Sequence, residues 1–391
     1  MKKSISILGS TGSIGLSTLK IINKNFFFFD ICLLSANKNF NLICKQIKYY
    51  KPKYFVILDP TVFAKVKKKF KNKKTLILNS FDILKIKKKI DITVSAIPGI
   101  AGLAPTISMI KKSNKLLIAN KEAVICGWEL IKSAAKKNKT KIIPIDSEHY
   151  SIFKLLQNYK LNEIKKIYLT ASGGPFLNYN EKQLKKIKPK DALKHPKWRM
   201  GKKISIDSST LMNKILEIVE AQKLFNISNK MLEIIIHPNS LVHAIISLKN
   251  GLSIFIYHET FMLIPIANAI YDGKLDIDNF LNVKNKKNNH FETLIFNKVN
   301  KKIFPLIKLK DSANEHPSTP IIINASNEIL VDQFLQKKIA FLHIFKIIMT
   351  ILKDKNYKKY AIRKPKNIKQ INLIDNWAKN TTLKIINKNY V

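Results

Sequence analysis

Asp146 and Glu148 have the spacing of a carboxylate pair that could hold a divalent metal, and Glu217 offers a third carboxylate. Asp146 and Glu148 follow the apolar run KIIPI, and Glu217 lies in the helical pattern DSSTLMNKILEIVEAQKLF. If the strand continues through them, a separation of two places Asp146 and Glu148 on the same side. Carboxylate oxygens are hard ligands of the kind that Mg²⁺ and Mn²⁺ prefer. The same pair equally fits a helix that begins near His149, capped by Asp146 or Ser147 with no metal, and the sequence leaves both interpretations open.

A group of hydroxyl, amide and ammonium side chains has the chemistry of a phosphate site. Asn213 and Lys214 share a helical face with Glu217, because residues three and four apart are neighbours on a helix. Ser208 lies shortly before them. Ser172 belongs to the segment ASGGPF, where backbone N–H groups can reach phosphate oxygens. Each of these residues alone is more typical of a surface or a helix cap.

The glycine motif GSTGSIG (9–15) predicts a dinucleotide-binding turn. It follows the apolar run SISIL and opens the segment STLKIINK, as in a strand-turn-helix unit. Glycines allow a tight turn and a close approach of backbone N–H groups to a pyrophosphate. The spacing GxxGxxG is less specific than GxGxxG, so a turn without a ligand is the alternative.

The residues after the second apolar run favour NADP(H) over NAD. NAD-binding domains carry an acid about 20 residues after the glycines, where it holds the ribose 2′-hydroxyl. This chain has Asn37, Lys38 and Asn39 in that region. A cation without a carboxylate suits a 2′-phosphate better.

The secondary structure that must position these residues is predicted to be α/β in the N-terminal part of the chain, α+β in the middle and helical at the end. Apolar runs separated by helix-length segments predict a Rossmann-like parallel sheet in residues 1–146. Residues 147–285 predict an α+β domain, and residues 286–391 predict a linker and a C-terminal helical domain. The polar segment 282–290 is typical of a loop or linker. Strands are predicted at 4–8, 30–34, 54–58, 75–78, 91–97, 115–119, 141–145, 165–170, 232–237, 242–248 and 252–258. Helices are predicted at 149–158, 211–225, 320–337, 340–353 and 373–386.

The composition excludes several classes of protein. The chain has 391 residues, 46% of them hydrophobic, which is too apolar for a disordered basic tail and enough for two or three domains. Three cysteines exclude a disulfide scaffold and favour a reducing compartment. No apolar run approaches the roughly 18 residues of a membrane span, and no targeting segment is visible. We therefore expect a soluble, cytoplasmic protein with no membrane partner.

The net charge of +44 raises the possibility of a nucleic-acid partner. The cations are almost all lysines in connecting segments such as KVKKKFKNKK (65–74), whereas readers of base edges rely on arginine. Drift towards lysine, isoleucine and asparagine, which share A-rich codons, also explains the excess. We expect no specific nucleic-acid partner, although the charge can steer anionic ligands to the protein.

Taken together, the motifs resemble the 1-deoxy-D-xylulose 5-phosphate reductoisomerase family. The matching strings occur in family order: GSTGSIG (9–15), ANKE (119–122), PIDSEH (144–149), LTASGGPF (169–176), HPKWRMGKKISIDSSTLMNK (195–214), LEIVEA (216–221), IIIHPNSLVH (234–243) and NASNE (324–328). The resemblance implies an NADP-dependent oxidoreductase of isoprenoid precursor biosynthesis. Such an enzyme converts 1-deoxy-D-xylulose 5-phosphate to 2-C-methyl-D-erythritol 4-phosphate by skeletal rearrangement and hydride reduction, using NADPH and Mg²⁺ or Mn²⁺.

The resemblance also implies roles for individual residues. The metal ligands would be Asp146, Glu148 and Glu217, with Lys121 as a further catalytic residue. Substrate contacts are implied for Lys121, Ser147, Glu148, Ser172, His195, Trp198, Ser208, Asn213, Lys214 and Glu217, with Trp198 on a lid that folds over the substrate. NADPH contacts are implied for Thr11, Gly12, Ser13, Ile14, Asn37, Lys38, Asn39, Asn120, Glu122 and Gly201. Family members are homodimers, so a homodimer is expected.

The sequence departs from the family pattern at two places. Asn37 stands where the family usually has glycine, and the segment 261–274 lacks the family's arginine and histidine. The second departure bears on local packing or dimer contacts more than on the metal site. Two alternatives remain: an NADP-dependent dehydrogenase acting on another phosphorylated or acidic substrate, and a basic nucleic-acid-binding protein.

Some conspicuous residues are predicted to serve packing instead of binding. His237 and His243 lack a cysteine or third histidine at a spacing that would complete a zinc site. We likewise expect Trp128 and the four phenylalanines at 26–29 to pack in the interior.

Overall fold

The structure is a computed structural model that describes residues 2–197, 201–277, 280 and 293–390. These residues group into two compact units. The first takes its described residues from Met1–Ala123, Trp128–Tyr150 and Phe261–Phe291, and the second from Val124–Gly127, Ser151–Thr260 and Glu292–Val391. The predicted linker at 282–290 lies outside the described residues, and the three-domain division stays a prediction.

The first unit is built on a seven-stranded parallel sheet with the strand order β4-β3-β2-β1-β5-β6-β7. Its strands are β1 (Lys3–Leu8), β2 (Phe29–Ala36), β3 (Tyr54–Ile57), β4 (Leu76–Leu78), β5 (Ile90–Ser95), β6 (Ser113–Ile118) and β7 (Lys141–Pro144). This confirms all seven predicted strands, which are recognisable because strands covered on both faces are apolar almost throughout. The order reverses between β1 and β5, so a ligand crevice is expected at their carboxyl ends.

The second unit contains a five-stranded mixed sheet with the order β11-β10-β8-β9-β12. Its strands are β8 (Ile164–Ala171), β9 (Leu232–Ile236), β10 (Val242–Leu248), β11 (Ser253–Tyr257) and β12 (Asn297–Lys298). The pair β8 and β9 is parallel and the other pairs are antiparallel. Four of the five strands are predicted from the sequence. The strand β12 is missed because two polar residues carry no apolar alternation.

Helices cover the first sheet and build the C-terminal part of the second unit. They are α1 (Ser13–Lys24), α2 (Phe40–Tyr50), α3 (Pro60–Lys69), α4 (Leu103–Ile110), α5 (Lys121–Asn138), α6 (Ser147–Leu155), α7 (Glu181–Leu184), α8 (Pro189–Ala192), α9 (Lys202–Ser209), α10 (Met212–Phe225), α11 (Leu263–Tyr271), α12 (Thr319–Leu335), α13 (His343–Leu352), α14 (Tyr357–Ala361) and α15 (Ile368–Asn389). The helices α12, α13 and α15 pack against one another, which confirms the predicted helical region at the end of the chain. No helix within the described ranges is long and apolar enough to cross a bilayer.

The helix α11 belongs to the first unit, although the sequence places residues 261–274 with the second domain. It packs on α1. The ring of Tyr271 meets that of Phe29 edge-on at 5.9 Å, and its hydroxyl accepts a hydrogen bond from Asn25 at 3.1 Å. Lys115 on β6 forms an ion pair with Asp272 at 2.7 Å. These contacts join residues far apart in the sequence, so no local pattern predicts them.

The expectation of interior packing is correct for some of the conspicuous residues and wrong for two. Trp128 is 9% exposed, His237 is fully buried and Phe29 is 3% exposed. Phe27 and Phe28, in contrast, are 84% and 65% exposed. They lie in a 3₁₀ turn, Phe26–Phe28, that precedes β2 and directs both rings to the solvent.

Candidate active site

The glycine motif forms the turn between β1 and α1, at the carboxyl edge of the parallel sheet. Gly9 has φ +83°, and a Cβ there would lie 2.7 Å from the carbonyl oxygen of Ala96. A Cβ on Gly15 would lie 2.3 Å from the carbonyl oxygen of Gly9. At Gly12, which caps α1, the nearest atom would be 3.5 Å away. Gly9 and Gly15 therefore close the turn. Gly12 instead leaves space beside the helix N-terminus, where a pyrophosphate binds favourably.

A buried polar network fixes the glycine turn. The backbone N–H groups of Gly9 and Ser10 donate to the carbonyl oxygen of Ser35 at 3.1 and 2.8 Å. The hydroxyl of Ser10 donates to Gln46 Oε1 at 2.6 Å, and Gln46 Nε2 donates to the carbonyl oxygen of Ser10 at 2.9 Å. Gln46 is 2% exposed. In the sequence, the only signal for Gln46 is a lone amide on the otherwise apolar face of α2.

The other residues expected to contact NADPH in this region share the same sheet edge. Thr11, Ser13 and Ile14 lie in the turn and in the first turn of α1. Asn37, Lys38 and Asn39 are exposed just after β2, which pairs in parallel with β1. Asn39 also caps α2 by accepting a hydrogen bond from the N–H of Leu42 at 3.1 Å. The ammonium of Lys38 is thus in solvent at the edge where a cofactor phosphate is expected.

Asn120 is buried and holds the start of α5. Its Oδ1 accepts a hydrogen bond from the N–H of Ala123 at 2.8 Å, and its Nδ2 donates to the carbonyl oxygens of Gly99, at 3.0 Å, and Ile97. Both ends of the amide therefore bond the protein itself. The side chain positions the N-terminus of α5, where Lys121 and Glu122 follow.

The acidic residues of the first unit lie between β7 and α6. The strand ends at Pro144 and the helix begins at Ser147, so the strand does not continue through Asp146 and Glu148. The helix begins two residues earlier than expected, and the N–H of Tyr150 donates to the carbonyl oxygen of Asp146 at 2.7 Å. The helix-start interpretation of the spacing is therefore the correct one for the backbone. It does not exclude metal binding by the two carboxylates.

Several polar groups surround these carboxylates within the first unit. Lys121 Nζ lies 3.5 Å from Asp146 Oδ2, and His149 Nδ1 lies 3.5 Å from Asp146 Oδ1. The hydroxyl of Ser147 donates to Glu148 Oε2 at 2.5 Å. Lys121 and Ser147 are buried. The first unit thus brings together four of the expected site residues: Lys121, Asp146, Ser147 and Glu148.

In the second unit, Glu217 is buried with two partners on the same face of α10. Lys214 Nζ lies 2.7 Å from Glu217 Oε2, and Asn213 Nδ2 donates to Glu217 Oε1. Glu217 is 1% exposed and Lys214 is 7% exposed. The predicted shared face is confirmed. A buried carboxylate of this kind requires a cation close by, because its desolvation is costly.

The loop after β8 joins the other members of the expected phosphate site. The hydroxyl of Ser172 accepts a hydrogen bond from the N–H of Gly174 at 3.1 Å and lies 3.0 Å from His195 Nε2. A Cβ on Gly174 would lie 3.2 Å from the carbonyl oxygen of Ser208, so this loop and α9 are closely packed. Gly201 is exposed at the N-terminus of α9, and a Cβ there would meet no described atom within 4 Å. Trp198 lies outside the described residues.

The imidazole of His195 is predicted to remain neutral well below pH 7. Burial, followed by the charge of Lys214, lowers its pKa from 6.5 to about 4. Because the unfolded chain then binds more protons, stability should rise with pH between roughly 4 and 6.5. A histidine titration followed by NMR should place the midpoint near 4 in the free protein, and inorganic phosphate should raise it. A midpoint at the ordinary value would contradict the partly buried position near Lys214, and His195→Gln identifies the resonance.

Asp207 and Asn327 form a buried hydrogen-bond network that no local pattern in the sequence indicates. Asp207 is 1% exposed, and its two oxygens accept hydrogen bonds from Asn327 Nδ2 at 2.7 Å and Lys203 Nζ at 2.9 Å. This network ties α9, which carries Ser208, to α12. Asn327 lies in the string NASNE, which is one of the motifs that resemble the family, but the resemblance assigns no role to any of its residues.

Comparison with known proteins finds relatives along almost the whole chain. Family models described as 1-deoxy-D-xylulose 5-phosphate reductoisomerase, its C-terminal domain, and DXP reductoisomerase C-terminal domain match residues 5–127, 142–225 and 259–381. The 1-deoxy-D-xylulose 5-phosphate reductoisomerase of Pelagibacter ubique is 45% identical over 381 residues, covering 96% of this chain and 97% of the relative. That of Clostridium perfringens is 39% identical over 371 residues, covering 91% and 94%.

Solved structures agree with this similarity. A 1-deoxy-D-xylulose 5-phosphate reductoisomerase from Zymomonas mobilis in complex with NADPH has a TM-score of 0.85 and 30% identity, covering 99% of each chain. A DOX-P reductoisomerase in complex with NADPH, fosmidomycin and magnesium has a TM-score of 0.88 and 30% identity, covering 98% of each chain.

Proposed function

The chain belongs to the 1-deoxy-D-xylulose 5-phosphate reductoisomerase family, and on that premise we propose which of its residues perform the family's reaction. The protein is an NADP-dependent oxidoreductase that converts 1-deoxy-D-xylulose 5-phosphate to 2-C-methyl-D-erythritol 4-phosphate with NADPH and a divalent metal ion. The 45% identity along 96% of the chain carries this conclusion. It replaces both alternatives, the dehydrogenase of another substrate and the nucleic-acid-binding protein, as the principal function.

We propose Asp146, Glu148 and Glu217 as the ligands of the metal ion, which is Mg²⁺ or Mn²⁺. Their carboxylate oxygens are hard donors suited to either ion. Lys121 beside Asp146 and Lys214 beside Glu217 balance negative charge, which supports an anionic donor set at these positions. When bound, the ion polarises the substrate carbonyl and stabilises charge that develops during rearrangement.

Ser172, Ser208, Asn213 and Lys214 are the proposed phosphate contacts, and His195 lies beside them. The close packing of the Ser172 loop on α9 and the ion pair on α10 support this assignment. A neutral His195 offers the phosphate a hydrogen bond without a full charge. We assign Lys121 and Ser147 to the polar groups of the carbon chain. Binding energy from the remote phosphate can be used to close the expected lid, which carries Trp198 and excludes water.

NADPH, the hydride donor, is proposed to bind at the carboxyl edge of the parallel sheet. The N–H groups at Gly12 and Ser13 face a pyrophosphate, and Lys38 binds the 2′-phosphate. The open space at Gly12 and the exposure of Lys38 support this placement. Thr11, Ile14, Asn37, Asn39, Glu122 and Gly201 complete the proposed cofactor contacts, with Asn120 acting as a positioning residue.

We also propose a homodimer that works in the cytoplasm. The strand β11 is an edge of the second sheet, and Leu252 and Phe255 beside or within it are 60% and 43% exposed. An exposed apolar edge favours pairing with the same edge of a second copy.

The reaction is tested by following NADPH absorbance with purified protein. We expect oxidation of NADPH only when 1-deoxy-D-xylulose 5-phosphate and Mg²⁺ or Mn²⁺ are both present. The substrate supplies the carbon that accepts the hydride, and the metal supports the rearrangement that precedes its reduction. Chelation of the metal should stop the reaction, and its replacement should restore it. Oxidation that persists after chelation, or a product whose carbon skeleton is unchanged, would refute the proposal.

A further inference from the structure

An exposed aromatic patch lies at the amino edge of the parallel sheet. It consists of Phe27, Phe28 and Tyr49, which are 84%, 65% and 64% exposed. The two phenylalanines form the tip of the 3₁₀ turn between α1 and β2, and Tyr49 lies near the end of α2. The partly buried ring of Phe26 lies 6.3 Å from that of Tyr49, so it connects the turn to the helix. Exposed apolar patches of this kind mark interaction surfaces.

The surface around the aromatic patch is strongly basic. The segment 20–53 contains seven lysines and a single acid, Asp30. Six of the lysines lie on the halves of α1 and α2 nearest the patch or in the connection to β3, and all six are exposed: Lys20, Lys24, Lys45, Lys48, Lys51 and Lys53. A partner must therefore accept aromatic rings and carry a dense negative charge.

We propose that the aromatic patch binds the surface of an anionic phospholipid bilayer. Phenylalanine rings enter the boundary between headgroups and acyl chains, and lysines around them are attracted to anionic headgroups. Nucleic acid fits less well, because single strands are bound in grooves that stack bases, often with arginine, whereas these rings form a tip. The expectation of no membrane partner rested on the lack of a spanning segment, which this reversible surface contact does not require.

The position of the patch leaves the cofactor edge accessible. The strand β2 runs from Phe29 beside the patch to Ala36 beside Asn37. Eight extended residues span roughly 25 Å. Within the first unit, the glycine turn would therefore lie roughly this distance from a bilayer bound at the patch.

The test is co-sedimentation of the full chain with phosphatidylcholine vesicles that contain or lack phosphatidylglycerol. We expect binding to the anionic vesicles only, and a loss of roughly tenfold or more in affinity for Phe27→Ser/Phe28→Ser. The matched control is Ile83→Ser, which removes an apolar residue that is 51% exposed and follows β4 at the opposite edge. All three proteins should have the same turnover.

A second measurement distinguishes insertion from attraction by charge. Phe28→Trp should show a blue-shifted emission and quenching by brominated lipids with anionic vesicles, and Ile83→Trp should show neither. Equal affinity of Phe27→Ser/Phe28→Ser and the parent would overturn the proposal in favour of charge alone. A double variant that instead loses affinity for single-stranded RNA, or loses self-association, would assign the patch to nucleic acid or to a second copy of the chain.

Discussion

Replacing Glu217 by glutamine is expected to lower kcat by roughly 10³-fold while NADPH affinity stays close to that of the parent. The carboxylate is proposed to contribute one negative oxygen donor to the metal ion, and loss of metal-supported charge stabilisation is worth several kcal/mol. Each 1.36 kcal/mol corresponds to a tenfold change in rate. Glutamine has nearly the same shape, but the buried Lys214 ammonium loses its counter-ion, so the free energy of unfolding should fall by about 3–5 kcal/mol. Turnover is therefore compared at a temperature where circular dichroism shows the variant to be folded.

The measurement is turnover at saturating substrate over a range of Mg²⁺ concentrations, with NADPH binding followed separately by fluorescence. The control is Glu233→Gln, which also removes a carboxylate from an ion pair in the second unit, with Lys166 at 3.1 Å. It should retain nearly full activity. If Glu217→Gln were as active as the control at every Mg²⁺ concentration, Glu217 would not be a metal ligand.

Local patterns predicted the sheets well because their signals are carried by neighbouring residues. The buried strands are apolar runs, and the turn after β1 is a short glycine motif, so both are visible in a few consecutive positions. The start of α6 was placed too late because Asp146 and Glu148 fit an extended strand and a helix start equally well. The backbone hydrogen bond to Tyr150 decides between them.

The positioning contacts could not be predicted because they join distant parts of the chain. Asp207 and Asn327 are 120 residues apart in sequence, and neither is unusual in its own segment. Gln46 reaches Ser10 across 36 residues. The exposure of Phe27 and Phe28 was missed for a related reason. Apolar residues in a run predict burial, but here the run forms a 3₁₀ turn that exposes Phe27 and Phe28, and only Phe29, the first residue of β2, is buried.

Gly15→Ala is expected to lower both stability and NADPH binding, whereas Gly12→Ala is expected to lower NADPH binding alone. A Cβ on Gly15 would lie 2.3 Å from the carbonyl oxygen of Gly9 and 2.6 Å from the Cα of Ser10, so the backbone must move. Forced overpacking typically costs about 1–3 kcal/mol. We therefore expect a lower free energy of unfolding together with a loss of NADPH binding, because the whole turn is displaced.

Gly12→Ala tests the same turn without disturbing it. The backbone at Gly12 has φ −82°, which alanine adopts freely, and the nearest described atom to a Cβ is 3.5 Å away. Alanine is a poorer N-cap than glycine by roughly 0.5–1 kcal/mol, but it also lowers the conformational entropy of the unfolded chain, which offsets about 0.4–1 kcal/mol. The net change in stability should therefore be small. The methyl group would nevertheless occupy the space in which a pyrophosphate approaches the helix N-terminus, so NADPH affinity should fall roughly tenfold, equivalent to about 1.4 kcal/mol.

Denaturant unfolding and NADPH titration of the two variants separate fold from function at this turn. The cofactor assignment requires that Gly12→Ala unfold like the parent and bind NADPH more weakly, whereas Gly15→Ala must lose both properties. If Gly12→Ala bound NADPH as tightly as the parent, the space beside α1 would not hold the pyrophosphate. The proposed contacts of Gly12 and Ser13 would then be wrong, although the contribution of Gly9 and Gly15 to the turn would stand.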